Sequence, residues 1–468
     1  MLIRPLTFVT DFIHTLNASL AMIKPNATLT RAQKVGLSFL LMGMVMTETL
    51  NWAAFERRSL KKAKSSRLRW IFYRSKIAWQ LLLTASIKQI IKHYGIEHGT
   101  IAFDDSDKQR TKRTTHIAGA HKVKSKPTGG YFNGQALVFM VLVSDIATFP
   151  IGFRFYVPNP AMSARRKKNK ALKKSGVAAS LRPKAPSPEY EKYPQKQTLA
   201  LSMLKYFVDA FPDIKIKGVL ADALYGTRDF MDKASSLTDG AQVISQLRSN
   251  QCVLSKNSKT SVNKFFARQS GVKTQLTIRG GKTQQVTLLA ARLKVKAHAK
   301  RRFVIALKYE GEEEYRYLVA SDLSWRHGDI ASMYTLRWLV EVFIQDWKAH
   351  CGWNKLSKQP GEEGSERGLI LSLLCDHLLL QHPEQSIRLK NKPPVLPVGC
   401  VIERLKVESL INTIKDVVES EDPSNAFLAL TTALADCLPT RESSKHMAGR
   451  DLGRQEASDS LKYHAQAA

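Results

Sequence analysis

The segment from Tyr334 to Lys348 reads YTLRWLVEVFIQDWK, and its apolar periodicity predicts a helix with two unlike faces. At about 100° per residue, Tyr334, Arg337, Glu341 and Lys348 lie within an arc of about 60°. The opposite, apolar face consists of Leu336, Leu339, Val340, Phe343 and Trp347. We expect that face to pack inward. An acid flanked by two cations suits a phosphodiester substrate, because a metal held by the acid and the cations themselves bind phosphate oxygens.

Acidic residues also follow two predicted strands. Asp104 and Asp105 end a strand that begins at Thr100, and Asp222 ends a strand that begins at Ile216. Carboxylates at the ends of adjacent strands converge at one edge of a sheet, where their mutual repulsion requires a divalent cation. Hard oxygen ligands suit Mg²⁺ or Mn²⁺. Two such ions ~4 Å apart can activate an attacking oxygen and hold the leaving oxygen of a phosphodiester.

The order of the predicted elements is three strands, then helix, strand, helix and strand, then a β-rich stretch and a helix. This order indicates a mixed α/β sheet interrupted by a β-rich insertion. Residues 136–144, ALVFMVLVS, predict a central strand that is buried on both faces. Residues 158–196 are basic and rich in proline, so we expect an exposed loop that becomes ordered on DNA.

Positive charge dominates the composition, with 72 Lys and Arg against 40 Asp and Glu and a formal net charge of +32. Nucleic acid is the expected partner, because each neutralised phosphate releases a counterion and adds affinity. The cluster RRSLKKAKSSRLR contains Arg57, Arg58, Lys61 and Lys62 inside a predicted helical module. Such a module is a usual DNA-reading device, and a plain helical bundle for dimer contact is the alternative. Further basic clusters lie at residues 108–126 and 165–174.

Composition also excludes several classes of protein. Hydrophobic residues make up 44% of the chain, which argues against a wholly disordered protein. The longest apolar run, residues 35–46, is shorter than the ~20 residues that a membrane span needs. We expect no signal peptide. The five cysteines form no C-x-x-C pair, which favours a reducing, cytoplasmic location and argues against a zinc ribbon.

The polar face of the predicted helix has the spacing Y-x2-R-x3-E-x6-K, and this resembles the signature of DDE transposases of the insertion-sequence-four family. Its four positions are Tyr334, Arg337, Glu341 and Lys348. FDDSD at residues 103–107 and ADALYG at residues 221–226 are similar to the first and second acidic motifs of that family. The resemblance covers residues 99–350, and the β-rich insertion fits relatives that place one before the glutamate of an RNase H-like core.

The resemblance implies cut-and-paste transposition with two Mg²⁺ ions, or Mn²⁺, held by the first acid, Asp222 and Glu341. Asp104 and Asp105 both fit the first position, and Asp104 is favoured. Arg337 and Lys348 would hold phosphates near the cleaved end, and Tyr334 would contact a strand terminus. The family also carries a base-stacking tryptophan in its insertion, for which Trp325 is the candidate. Trp325 as a core residue is the alternative, and Trp338 and Trp347 are expected to pack.

The resemblance also implies an organisation and partners. Double-stranded DNA, as terminal inverted repeats and target DNA, would be the substrate of a homodimer with no membrane association, acting on chromosomal or plasmid DNA. A DNA-binding regulator without catalysis and a non-transposing RNase H-like nuclease are the competing hypotheses. The expected units are a helical DNA-binding or dimerisation module at 1–98, the catalytic core at 99–249 and 326–390, the β-rich insertion at 250–325, and a helical C-terminal region with a flexible tail at 391–468.

Overall fold

The computed structural model describes residues 4–110, 116–125, 128–184, 186, 189–255, 258–278, 281–355 and 361–437. In this part of the chain twelve strands form one sheet, and helices precede and follow it in sequence. The expected mixed α/β architecture with helical ends is therefore confirmed. The predicted C-terminal tail beyond residue 437 lies outside the described residues, as do several cations of the 108–126 cluster.

The chain begins with a helical unit, as the sequence predicts. Its helices are α1 (Thr7–Ile23), α2 (Arg31–Thr47), α3 (Trp52–Arg58), α4 (Ser65–Tyr73) and α5 (Trp79–Tyr94). Helix α2 starts with a reciprocal capping box between Thr30 and Gln33, which satisfies two backbone N–H groups of the first turn. Close packing of α2 on α3 requires Gly43, because a Cβ atom there would lie 2.6 Å from the ring of Phe55.

The next elements build the core of the sheet. They are β1 (His98–Gln109), β2 (His121–Lys124), β3 (Tyr131–Val143), β4 (Thr148–Tyr156), α6 (Pro160–Lys174), α7 (Lys196–Ala210), β5 (Lys215–Leu220), α8 (Arg228–Leu237) and β6 (Gln242–Leu247). The core strands lie in the order β4-β3-β1-β5-β6. Strands β1, β5 and β6 are parallel, and β3 runs antiparallel to β1 and β4. This order and these directions are those of an RNase H-like fold.

The predicted β-rich insertion follows β6 and extends the same sheet. It consists of β7 (Cys252–Ser255), β8 (Ser258–Ser261), α9 (Val262–Phe266), β9 (Val272–Thr277), β10 (Thr283–Val295), β11 (Lys300–Tyr309) and β12 (Arg316–Ala320). Strand β12 pairs antiparallel with β6, with Ala320 opposite Ile244. The insertion therefore shares backbone hydrogen bonds with the core.

Six helices complete the described chain. They are α10 (His327–Thr335), α11 (Trp338–His350), α12 (Gly361–Leu380), α13 (Pro383–Lys390), α14 (Val398–Val418) and α15 (Pro423–Cys437). The sequence predicts one continuous helix where the structure has α10 and α11. The turn between them is tightened, because Arg337 N donates to Tyr334 O and Val340 N donates to Arg337 O, both at 3.1 Å. None of the described helices is both long enough and apolar enough to cross a membrane.

Aromatic packing fixes α11 on the sheet. The ring of Phe139, in β3, lies 5.8 Å from the ring of Phe343 and 5.0 Å from that of Trp347. Trp347 Nε1 donates to Ser372 Oγ of α12 at 2.9 Å, so its polar atom is satisfied inside the core. The apolar face that the sequence predicts for this helix does pack inward, with Val340, Phe343 and Trp347 buried.

The prediction of an exposed loop at residues 158–196 is wrong for the first half of this segment, where the structure has helix α6. The prolines mislead because Pro160 occupies the first helical position, where its fixed backbone angle favours a helix. Asn159 caps the helix, and its Oδ1 accepts from Ala161 N at 2.9 Å and from Met162 N at 3.2 Å. An N-capping asparagine followed by proline therefore marks the start of a helix here.

Removal of the Phe139 ring should destabilise the whole chain. Phe139→Ala deletes a fully buried side chain between the sheet and α11, so we expect the free energy of unfolding to fall by about 3–5 kcal/mol. Equilibrium urea unfolding measures the loss. Tyr190→Ala, at an exposed loop position, is the control and should change the value by less than about 0.5 kcal/mol. Equal effects of both variants would contradict this account of the core.

Candidate active site

Asp104 lies on the face of the sheet that α11 covers. It is the cross-strand partner of Phe139, and paired residues in adjacent strands point to the same face. Its Oδ2 atom lies 3.0 Å from Arg337 Nη1, and its side chain is only 14% exposed. Strand register therefore places the first acid directly beneath the signature helix.

Arg337 joins two of the predicted acids. Its Nη1 contacts Asp104, and its Nη2 donates to Glu341 Oε1 at 2.6 Å. The guanidinium also lies over the ring of Tyr334, 5.8 Å from the ring centroid. Its side chain is 15% exposed, so the charge is largely removed from water, and its ion pairs are stronger than pairs at the surface.

Tyr334 is buried under this arginine. Its hydroxyl lies 3.4 Å from the carbonyl oxygen of Ala221, and burial raises the pKa of the phenol. The expected contact between Tyr334 and a DNA strand terminus is not supported, because only 8% of the residue is exposed. The tightened turn brings Tyr334 and Arg337, three residues apart, onto the same side of the helix, and Arg337 covers the ring of Tyr334.

Asp222 stands level with Asp104 on the neighbouring strand. The parallel register pairs Ala102 of β1 with Leu220 of β5, so the two acids each follow their paired residue by two positions. Asp222 Oδ1 accepts from Leu224 N at 2.9 Å, and its carbonyl oxygen accepts from Ser245 Oγ at 2.6 Å. These bonds hold the turn after β5 at the edge of the sheet.

The acids are close enough for their charges to interact. Burial raises the pKa of Asp104 to about 6, and the charges of Asp222 and Asp105 act in the same direction. A backbone hydrogen bond and the Arg337 charge lower the pKa but do not cancel the effect of burial. The ionised Asp104 is therefore under-compensated in the protein alone.

Asp105 points to the opposite face and has different partners. Its Oδ2 atom accepts from Lys196 Nζ at 2.6 Å, and its Oδ1 accepts from the hydroxyl of Tyr225 at 3.0 Å. Tyr225 is fully buried. Asp105 thus joins β1 to the start of α7 and to the turn after β5. The sequence predicts neither partner: Tyr225 lies inside the ADALYG motif and could have been found there, whereas Lys196 carries no sequence signal.

The carboxylates do not form a closed metal site as they stand. Among the described residues, no group of three His, Cys, Asp or Glu side chains is arranged to hold a metal ion. The cause is visible at Arg337, whose guanidinium occupies the space between Asp104 and Glu341. The donor atoms themselves fit Mg²⁺ or Mn²⁺, because all are carboxylate oxygens, and Glu341 is 37% exposed and can turn toward a cation.

Basic side chains continue from the carboxylates along β1 and α11, and the two on β1, Lys108 and Arg110, are buried. Lys348 lies two turns beyond Glu341, and its charge acts on Lys108 of β1. Burial and the positive charges of Arg110 and Lys348 lower the pKa of Lys108 to about 8. Like charges that are brought together in this way favour an anion beside them.

Trp325 lies away from the acids. It lines a cavity together with Lys215 and Gln242, which are the first residues of β5 and β6. Asp222 follows the other end of β5, about 20 Å away at 3.3 Å per residue. The structure therefore supports the core-packing alternative for Trp325 over base stacking near the cleavage site.

The other two tryptophans of this region differ from each other. Trp347 is buried, as expected, but 49% of Trp338 is exposed, one residue after Arg337. The expectation that both pack is therefore wrong for Trp338. Its position in the first turn of α11, outside the apolar face, explains its exposure.

The basic residues predicted in the N-terminal unit are at the surface. Arg57 and Arg58 form the exposed end of α3, and Lys61 and Lys62 lie in the turn before α4. This turn includes two residues with positive φ, Leu60 and Lys61. The structure shows four cations on one short exposed segment and assigns no ligand to it.

Comparison with known families decides the class of the protein. The family model for the DDE superfamily endonuclease matches residues 27–305, more than half of the chain. The chain belongs to this family. DDE superfamily endonucleases are transposase-like nucleases that act on DNA and generally use divalent metals, which agrees with the oxygen-rich edge described above. The match includes Asp104 and Asp222 and ends before Glu341. Among curated proteins, none matches this endonuclease.

Neutralising Asp104 and neutralising Asp105 should have opposite effects on the stability of this endonuclease. Asp104→Asn removes a buried and under-compensated charge, so we expect its stability at pH 8 without divalent ions to be unchanged or higher. Asp105→Asn leaves Lys196 without its carboxylate, so we expect a loss of about 1–3 kcal/mol. Thermal and urea unfolding of both variants measure the difference. An equal loss in both would mean that Asp104, too, is a structural anchor.

Proposed function

We propose that this DDE superfamily endonuclease is a cut-and-paste DNA transposase of the insertion-sequence-four type. One observation carries the proposal: the Arg337 guanidinium joins Asp104 to Glu341 at the sheet edge that Asp222 also occupies. Three acids and an arginine in this arrangement match the spacing of the transposase signature, and a pure DNA-binding protein has no use for them. Fold alone does not decide the activity, so the proposal depends on the site.

Asp104, Asp222 and Glu341 are proposed as the metal-binding carboxylates. Asp104 is preferred to Asp105, because it faces α11, whereas Asp105 is occupied by Lys196 and Tyr225. When bound there, Mg²⁺ or Mn²⁺ would activate the attacking oxygen and stabilise the leaving oxygen. The carboxylates would then have two states: in one their negative charge is neutralised by Arg337, and in the other by the metal ions.

Arg337 has a role in both states. In the protein alone its two nitrogens neutralise Asp104 and Glu341. Once the acids hold a cation, the guanidinium is free to bind a phosphate through two parallel hydrogen bonds. Lys348, further along α11, is proposed to bind the next phosphate of the strand. Tyr334 positions Arg337 from below through its ring.

The proposed reaction has two balanced steps. In the first, a water oxygen attacks the phosphorus at the end of the element, the P–O3′ bond breaks, and the 3′ oxygen leaves as a hydroxyl after gaining a proton. In the second, that 3′ hydroxyl attacks a target phosphodiester, one P–O bond forms, and another 3′ hydroxyl is released. The number of phosphodiester bonds is unchanged in the second step, so no external energy source is needed.

The remaining parts of the proposal concern organisation. We propose that residues 1–98 bind terminal repeats or mediate dimerisation, with Arg57, Arg58, Lys61 and Lys62 on DNA. Residues 99–249 and 326–390 form the catalytic core around the 250–325 insertion, and residues 391–468 follow it. Because two element ends must be held together, the active form is proposed to be a homodimer on chromosomal or plasmid DNA.

Cleavage of DNA that carries the sequences flanking this gene tests the assignment. We expect the wild-type protein with Mg²⁺ to release a 3′ hydroxyl at the element boundary and to join it to target DNA. Asp104→Asn, Asp222→Asn and Glu341→Gln should each lower the rate at least about 10³-fold, because each removes a carboxylate that acts in the transition state. Asp105→Asn, assayed below its melting temperature, is the matched control and should keep most of the activity.

The competing hypotheses predict other results in the same assay. Binding without cleavage by the wild-type protein, with any divalent ion, would identify a DNA-binding regulator. Cleavage without joining would identify a non-transposing nuclease. Retention of DNA binding by Glu341→Gln with Ca²⁺ separates a lost catalytic group from a lost fold. If Asp105→Asn is inactive while Asp104→Asn cleaves, the assignment of the first acid is reversed.

A further inference from the structure

The segment between β4 and α7, residues 157–195, leaves the core and returns to it at one place. Lys196, just after the segment, lies 2.6 Å from Asp105 Oδ2 and 5.2 Å from the ring centroid of Tyr156, just before it. Both ends of the segment are thus fixed next to Asp105. Whatever this segment binds is held near the carboxylate edge.

Strand directions give the same location. Tyr156 is paired with Ala136 of β3, and Ala136 is paired with Asp107 of β1. Asp107 is three residues beyond Asp104, or about 10 Å along the strand. Because β4 runs in the same direction as β1, helix α6 begins just beyond the edge of the sheet that carries the acids.

Helix α6 contains no buried residue. Its half-buried positions, Met162, Arg165, Asn169 and Leu172, repeat at helical spacing and form one face. This face rests on the returning chain, where Arg165 Nε donates to the carbonyl oxygen of Pro183 at 2.8 Å. The helix therefore packs on its own segment, and its opposite face is fully open to solvent.

Six cations of α6 are exposed; Lys168 lies apart, and the other five share one side of the helix. At about 100° per residue they fall within an arc of about 120°. They are Arg166, Lys167, Lys170, Lys173 and Lys174, all exposed. Within the described ranges, no acidic side chain forms an ion pair with any of them. Arg166 with Lys170, and Lys170 with Lys174, are like charges four residues apart, which destabilise a helix. Such a face is complementary to a polyanion, and no ion pair with another described residue offsets the repulsion among its charges.

We propose that α6 is a DNA-backbone arm, which binds phosphates of the duplex entering the carboxylate edge without reading its sequence. This inference rests on the proposed function for its choice of DNA as the polyanion. Lysine and arginine on one exposed face suit phosphate contacts, which position a duplex but do not specify its bases. The arm adds affinity through counterion release and takes no part in the chemical step.

The test is the salt dependence of duplex binding in Ca²⁺, with no cleavage required. The arm variant replaces the five cations by glutamine: Arg166→Gln, Lys167→Gln, Lys170→Gln, Lys173→Gln and Lys174→Gln. Affinity for a duplex should fall about tenfold or more at low salt. The slope of log K against log salt should become shallower by about 0.9 for each phosphate that the arm neutralises in the wild-type protein, up to roughly 4.5 in all. The decrease should be equal for an element-end duplex and for a scrambled duplex.

The matched control removes the same charge elsewhere on the surface. It carries glutamine at five exposed lysines outside the arm: Lys24, Lys205, Lys233, Lys390 and Lys415. We expect its salt slope to stay close to that of the wild-type protein. Equal slopes for the arm variant and the control would overturn the proposal, because net charge would then explain the effect. Loss of binding only to the element-end duplex would overturn it as well.

Further measurements separate this inference from its alternatives. The arm variant should keep the wild-type melting temperature, and at saturating DNA it should cleave at the wild-type rate. A slower saturated rate would overturn the assignment, because the helix would then act in catalysis. Weaker binding to vesicles of anionic lipid, with DNA binding unchanged, would identify a membrane surface as the partner instead. If the wild-type protein binds DNA through the arm but never cleaves, the proposed function fails and the arm stands.

Discussion

The ion pairs of Arg337 are the interaction on which the rest of this site depends. The RNase H-like sheet brings Asp104 and Asp222 to one edge, and α11 adds Glu341 above them. Acids gathered in this way repel one another and resist burial, as the raised pKa of Asp104 shows. In the protein alone, the positive charge comes from a guanidinium that contacts both Asp104 and Glu341. The fold can therefore assemble an acidic site before any metal or DNA is bound.

Asp104 and Asp105 have different contacts because the side chains of β1 alternate between the two faces of the sheet. Asp104 faces α11, and Asp105 faces α7 and the turn after β5, because successive side chains of a strand point to opposite faces. Asp105 is held by Lys196 and by the hydroxyl of Tyr225, which fix the elements around the acidic edge. Asp105 thus anchors the edge of the sheet, whereas Asp104 faces Arg337 on the other side.

Much of this arrangement could be predicted from the sequence. Strand-length apolar runs such as residues 136–144, the acids at strand ends and the two-faced segment 334–348 are local patterns, so the core order and the acidic edge followed from them. Two features cannot be predicted from the sequence. The choice between Asp104 and Asp105 depends on cross-strand register with Phe139, and the tight turn at Arg337 depends on how α10 and α11 pack.

Other features depend on contacts between residues that are distant in the sequence. Trp325 follows the last strand of the insertion in sequence, but the antiparallel direction of β12 takes it to the far end of β5. The proline-rich composition of residues 158–196 predicts a loop at α6, but Pro160 starts a helix there because it follows a capping asparagine. Which face of α6 stays open depends on where the returning chain packs, and a local sequence pattern does not determine that.

The central claim is that Asp104, Asp222 and Glu341 together hold divalent ions once DNA is bound and Arg337 has released them. Electron paramagnetic resonance of Mn²⁺ counts bound ions directly, with the protein on an uncleavable duplex. We predict two bound Mn²⁺ ions for the wild-type protein and at least one fewer for each of Asp104→Asn, Asp222→Asn and Glu341→Gln, with Asp105→Asn unchanged. Equal Mn²⁺ binding by the wild-type protein and the Glu341→Gln variant would contradict the claim.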